Sequence, residues 1–261
     1  MWTEFPCRHT LSVAMPGLPF RDRAVDFAQH RPGYPPAVVS VVERQLGARA
    51  PAVVADIGCG TGHFARPFLE RGFRVWGVEP DASMAELARA AFRRCPSFVV
   101  TPGRAEKTGL PDGCAQIVSA AQAFHWFDRA AAKIELERIC APEGAILIAW
   151  NERDARSELS LAYDAILAAV CPGASVRPRP TVREHDLRAF LAPRKMMRAV
   201  VDNPQWCDFE GFIGRFRSAA SAPPRSSPAW PTIEAAFRRL FDAFQQGGRV
   251  CLPMKTQLRW G

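Results

Sequence analysis

Val53-Val54-Ala55-Asp56-Ile57-Gly58-Cys59-Gly60-Thr61-Gly62-His63 is the stretch on which the fold turns. A continuous apolar run, broken only by Asp56, runs straight into three glycines at alternate positions. Such a run is the signature of a strand buried on both faces, as in a parallel sheet. The glycines let the backbone turn sharply and approach a ligand closely. Backbone N–H groups and the start of a following helix favour an anionic group there.

The same alternation continues outward. Arg74 to Val78 is predicted as a second strand, Phe98 to Val100 as a third, Ile117 to Ala120 as a fourth and Ala145 to Trp150 as a fifth. Helices are predicted between them. The first, about His63 to Glu70, has to begin late or bend, because Pro67 lacks an N–H and clashes one turn back unless it lies in the first turn. Ser83-Met84-Ala85-Glu86 reads as a capping box, followed by Leu87, Ala88, Ala91 and Phe92 on one apolar face. Ala130 to Ile139 is a further helix that carries Cys140 toward the core. Strands alternating with helices predict an α/β, Rossmann-like doubly wound sheet with right-handed crossovers.

Beyond Asn151 the regularity fades. Leu159 to Val170 reads as a helix, 171–185 as an exposed connection, Met196 to Val201 as a strand and 218–231 as a loop. Trp206, Phe209, Phe212 and Phe216 fit one helix face, either core or the wall of an acceptor pocket. Ile233 to Phe244 is an amphipathic helix stopped by Gly247-Gly248, and Val250 to Trp260 alternates as a terminal strand. Four parts are expected: a flexible arm over 1–20, a core with an N-terminal helical lid over 21–153, a variable cap over 154–230, and a closing helix and strand over 231–261.

Composition bounds the function. The 261 residues are 48% apolar and 23% charged, a globular balance. No apolar run reaches the ~18–20 residues of a membrane span. The net charge is +8, but the 34 basic residues are scattered and only Lys107, Lys133, Lys195 and Lys255 are lysines. Nucleic acid is therefore not an expected partner. Eight cysteines include no C-x-x-C pair and no zinc spacing, so no metal site is expected. Free thiols and no visible signal peptide point to the cytoplasm.

Twenty-three residues beyond Asp56, Glu79 closes the second strand, where a carboxylate can take two ribose hydroxyls. A dinucleotide fingerprint would be G-x-G-x-x-G. Here the glycines stand at 58, 60 and 62 and His63 fills the third place, so the loop suits something other than a pyrophosphate.

Asp-Ile-Gly-Cys-Gly-Thr-Gly followed by Gly77-Val78-Glu79-Pro80 resembles the class I S-adenosylmethionine-dependent methyltransferases. Gln122-Ala123-Phe124-His125-Trp126-Phe127, with Arg31-Pro32-Gly33-Tyr34-Pro35 upstream, resembles their small-molecule branch, which includes proteins similar to trans-aconitate methyltransferase. The resemblance implies seven strands with the last antiparallel beside the fifth. It implies S-adenosylmethionine as donor, S-adenosylhomocysteine as product, and a small-molecule acceptor, a carboxylate, hydroxyl or similar. Gly58, Gly60 and Gly62 would line the methionine part, with Asp56 holding the loop and reaching the donor's ammonium. Glu79 would bind the ribose. Pro80 and Met84 would flank the adenine, with Met84 also core, and Ala105 and Glu106 would cap its edge unless Glu106 only closes a turn. Gln122, Ala123 and Phe124 would floor the methyl site. Arg31 and Tyr34 would close the pocket, unless Arg31 simply packs on Tyr34. His125 is the candidate base, with a structural role as its alternative.

The family usually has Asp where this chain has Gln116, at the start of the fourth strand. Asn203-Pro204-Gln205-Trp206 resembles the Asn-Pro-Pro-aromatic signature of base-directed amino methyltransferases, but it lacks the second proline and does not follow the fourth strand. Rival readings are a methyltransferase acting on nucleic acid or protein and a non-catalytic donor-binding module. Monomer and dimer both stay open.

Overall fold

The computed structural model describes residues 24–170, 182–219, 222–224 and 226–261. The expected arm over 1–20 and most of the connection over 171–185 lie outside them. Two helices lead in, α1 (Ala24–His30) and α2 (Ala37–Leu46). The alternating core follows: β1 (Val53–Ile57), α3 (Ala65–Glu70), β2 (Arg74–Val78), α4 (Ala82–Ala91), β3 (Phe98–Thr101), β4 (Ala115–Ala121), α5 (Arg129–Ile139) and β5 (Cys140–Arg153). Then come α6 (Glu158–Val170), α7 (Glu184–Leu191), β6 (Met197–Asp202), β7 (Gln205–Cys207), α8 (Phe209–Arg217), α9 (Trp230–Phe244), β8 (Val250–Leu252) and β9 (Met254–Trp260).

Seven strands form one sheet in the order β3-β2-β1-β4-β5-β9-β6. The first five run parallel, and β9 is antiparallel to both β5 and β6. The central strands of the sheet are buried on both faces. Val38, Val42, Phe64, Phe68 and Ala88 cover one face from α2, α3 and α4. Leu136, Ile139, Leu187 and Phe190 cover the other from α5 and α7. This is why the central strands read as apolar runs rather than alternations. The strand order reverses between β1 and β4, and in open α/β sheets ligands bind in the crevice outside the carboxyl ends at that point. The glycine loop leaves β1 there.

A third apolar cluster stands apart, built from α6, α8, α9 and β8 around Tyr163, Phe212, Phe216, Phe237 and Val250. Among the described residues, no helix is long and apolar enough to cross a membrane.

Caps and prolines decide the local details. Helix α3 starts at Ala65, which puts Pro67 in the first turn, where its missing N–H is harmless. The cap of α4 is Asp81, not Ser83: its Oδ1 accepts from the N–H groups of Ser83 and Met84 at 2.9 and 3.2 Å. Cys140 opens β5 instead of ending a helix. Trp206 lies on β7 and is exposed, because Asp208 caps α8 and the helix begins only at Phe209. Pro253 divides the terminal strand, so β8 pairs with β7 while β9 alone joins the main sheet. Gln116 ties two strands together, since its Oε1 accepts the Val53 N–H at 2.8 Å and so closes the entry of β1.

Candidate functional site

Three backbone bonds shape the loop after β1. Gly58 N and Cys59 N donate to Val78 O at 2.8 and 3.2 Å, and Gly62 N donates to Cys59 O at 2.9 Å. Gly58, Gly60 and Gly62 all have positive φ, at 70°, 56° and 84°. At Gly58 space is as restrictive as conformation: a Cβ there would lie 2.6 Å from the Ala123 Cβ. The loop therefore presses directly on the turn that follows β4.

Two buried carboxylates flank it. Glu79 Oε2 accepts the Gly60 N–H at 2.7 Å and Oε1 accepts the Asp81 N–H at 2.9 Å. Burial pushes the Glu79 carboxyl up to about 7, although the two N–H groups pull the other way. Asp56 is fully buried, and its Oδ1 accepts the Ser119 hydroxyl at 2.9 Å. Its Oδ2 has no hydrogen-bond partner among the described residues, and neither has Asp81 Oδ2. Burial pushes Asp56 up to about 7; the Ser119 hydrogen bond opposes this and the nearby Glu79 adds to it. An unpartnered buried carboxylate oxygen is costly unless a donor or cation arrives to meet it.

The rest of the rim comes from four segments. A Cβ at Gly60 would stand 3.7 Å from the Phe27 ring of α1 and 3.9 Å from the Cε of the buried Met84. The Phe27 ring also meets His63 edge-on at 6.1 Å, and His63 is held down at about 4 by burial, with Arg66 and Arg31 adding to the effect. Pro80 is half-buried between Glu79 and Asp81. Gln122 has φ 56°, a strained value for a non-glycine residue, and its Nε2 donates to Asn151 O at 2.9 Å.

Seven-stranded order, crevice position and loop geometry together settle the architecture. The fold is that of the Rossmann-like methyltransferases. Sequence similarity points the same way, for residues 55–148 match the family model described as a methyltransferase domain. An uncharacterized methyltransferase of Mycobacterium tuberculosis is 37% identical over 139 residues, 53% of this chain and 54% of that protein. A malonyl-[acyl-carrier protein] O-methyltransferase of Serratia marcescens is 30% identical over 138 residues, 51% of this chain and 53% of its own. The chain thus spans about half the length of the relatives it matches in sequence. A solved structure of a candidate type II methyltransferase from Anaeromyxobacter dehalogenans superposes with a TM-score of 0.63 at 23% identity, covering 88% of this chain and 97% of that one.

Within the methyltransferase fold, the expected site residues separate into those at the loop and those drawn elsewhere. Asp56, Gly58, Gly60, Gly62, Glu79, Met84 and Ala123 converge on the loop. Phe124 turns into the core beneath, against Phe190 at 4.7 Å. Ala105 is buried in the same core. Glu106 Oε1 accepts the Asp128 N–H at 2.8 Å at the start of α5. Arg31 reaches the cap, with Nη2 donating to Ser218 O at 3.3 Å and its guanidinium 5.0 Å above the Phe27 ring. Tyr34 stands edge-on to Phe64 at 4.9 Å. His125 is buried in a single 3₁₀ turn beside Trp126, ring to ring at 4.9 Å.

Sequence reasoning passes over Ser119, Phe27 and Asn151, and sets Asn203 aside. Ser119 carries a signal, as a hydroxyl in an otherwise apolar strand, in register with Asp56. Asn151 and Asn203 carry none for this site, because their partners lie far along the chain.

Proposed function

We propose that this protein transfers a methyl group from S-adenosylmethionine to a small-molecule acceptor and releases S-adenosylhomocysteine. The observation that carries the reading is Asp56 Oδ2, buried and unpartnered among the described residues, beside a positive-φ glycine loop tied to Glu79. A ligand with an ammonium at one end and a ribose at the other fits that pair of acids.

When bound, the donor supplies a sulfonium methyl group, an electrophile that needs alignment more than activation. Asp56 would accept from the ammonium, while Gly58 and Gly60 leave room for the methionine chain. Glu79 would accept from the ribose hydroxyls with the lone pairs its two N–H donors leave free. Pro80 and Met84 would flank the adenine, and Ala105 and Glu106 would stand toward its edge. Gln122 and Ala123, backed by Phe124, would form the floor of the methyl site. Arg31 and Tyr34 would close the N-terminal side. Holding an acceptor in line and excluding water supplies ~7–11 kcal/mol. A carboxylate acceptor needs no base; for a hydroxyl, thiol or amine, the His125 imidazole would take the proton.

Gln122 to Phe127 and Arg31 to Pro35 support a branch similar to trans-aconitate methyltransferase. The separate cluster around Phe212 and Phe237 supports a division into a donor-binding core over 21–153, an acceptor cap over 154–230 and a closing segment over 231–261. Free thiols at Cys59, Cys95, Cys114, Cys140, Cys207 and Cys251 support a cytoplasmic setting. The test is to incubate the full chain with methyl-labelled S-adenosylmethionine and a small-metabolite extract, then search for labelled products by mass spectrometry. A labelled small molecule that forms only with active protein supports the reading. Label confined to nucleic acid or protein, or none transferred, refutes it.

A further inference from the structure

The Asn203-Pro204-Gln205-Trp206 segment has no part in the donor site proper, yet Asn203 is a buried polar residue. Its Nδ2 donates to Gly33 O at 2.9 Å and to Asn151 Oδ1 at 3.1 Å. Asn151 Nδ2 donates to the same Gly33 O at 3.0 Å, and Thr256 Oγ1 donates to Asn151 Oδ1 at 2.6 Å. Two amides from β5 and from the link after β6 thus hold one carbonyl of the strap 31–35. The chain of bonds continues at both ends. Gln122 Nε2 donates to Asn151 O, which ties in the strained turn after β4. Gln205 Nε2 donates to Asn203 Oδ1 at 2.5 Å, and Arg215 Nη2 donates to Gln205 Oε1 at 3.2 Å, which ties in α8. Ser218 ends α8 and accepts from Arg31, so the ring closes on the strap itself.

We propose that Asn203, together with Asn151, is a positioning residue for the donor site. Through Gly33 it sets the strap that carries Arg31 on one side and Tyr34 on the other, and it links that strap to the Gln122 turn. Gly33 has no neighbour within 4 Å of where a Cβ would stand, and the two amides hold its carbonyl. Asparagine suits the position because its Nδ2 supplies two donors while its Oδ1 accepts from Gln205. The inference rests on the donor assignment above, and its test separates the two.

Affinity for S-adenosylhomocysteine is measured by calorimetry on the full chain for the wild type, Asn203→Asp and Asn203→Ser. The first variant keeps the shape and loses the donor; the second loses the reach. Both are expected to bind ~10-fold more weakly, as for a lost buried hydrogen bond with its partner left unmet. Phe237→Leu, in the separate apolar cluster of α6, α8 and α9, is expected to bind like the wild type. In an Arg31→Ala, Tyr34→Ala background, Asn203→Asp is expected to add less than ~2-fold, because the two strap side chains that it positions are then absent. Full-strength binding by both Asn203 variants, or equal losses with and without the Arg31 and Tyr34 side chains, overturns the inference alone. A wild type that does not bind overturns the donor assignment and this inference with it.

Discussion

Asp56→Asn should make the protein more stable and a poorer binder at once. Asp56 is fully buried, gives one oxygen to the Ser119 hydroxyl and leaves the other unpartnered among the described residues. Its carboxyl moves from 3.8 to about 7. At about 1.36 kcal/mol per pH unit, keeping it ionised in the fold at pH 8 costs ~4 kcal/mol as an upper bound. The sign follows from linkage. A carboxyl raised in the folded state favours folding below about pH 4, and that contribution is lost as pH rises through about 7. The amide removes the ionisation cost but leaves an N–H pair unmet, at ~1–3 kcal/mol. The net expectation at pH 8 is a gain of ~1–3 kcal/mol, shrinking to zero or turning negative near pH 4. Urea unfolding at the two pH values reads it directly. The same variant should bind S-adenosylhomocysteine ~10–100-fold more weakly, the worth of a hydrogen bond to a charged group. A variant destabilised at pH 8, or one that binds at full strength, refutes the assignment of Asp56 as an acid kept for a cationic ligand.

Gly58→Ala combines a left-handed φ with a 2.6 Å approach to the Ala123 Cβ. It should cost ~2–5 kcal/mol in denaturant unfolding and abolish calorimetric binding of S-adenosylhomocysteine. Gly214→Val drives a side chain into the His30 imidazole, 2.4 Å from the position of a Cβ. Helix α1, which carries Phe27 to the loop, should lift from α8, with a loss of ~1–3 kcal/mol and faster amide exchange over 25–30. Wild-type affinity for S-adenosylhomocysteine should rise between pH 6 and pH 8 as Asp56 and Glu79, both near 7, ionise. Calorimetry across that range should give a shallower rise in Asp56→Asn; a flat wild-type profile would argue against both acids as ligand contacts.

The parallel core is legible because its central strands are buried on both faces, so apolar runs and glycine turns mark them one by one. The site is legible where its residues are neighbours in sequence: Asp56 to Gly62 form one turn, and Glu79 ends the adjacent strand. Capping of α4 is ambiguous in the sequence because Asp81 and Ser83 are both good caps two residues apart, and only the path of the chain after Pro80 chooses between them. Trp206 fits a helical spacing with Phe209, but a cap at Asp208 outweighs periodicity. The alternation from Val250 to Trp260 hides the consequence of Pro253, which sends two halves of one pattern to different sheets. The ring through Gly33, Asn151, Asn203, Gln205 and Ser218 leaves no trace in the sequence, since its members are brought together only by the completed sheet and cap.

Whether the loop after β1 is a donor cradle can be decided by a crystal structure of the full chain grown with saturating S-adenosylhomocysteine. The ligand's amino group is expected against Asp56 Oδ2 and its ribose hydroxyls on Glu79, with the amino-acid portion passing over Gly58 and Gly60. Ligand bound elsewhere, or a saturated crystal with Asp56 Oδ2 still unmet, would contradict the assignment.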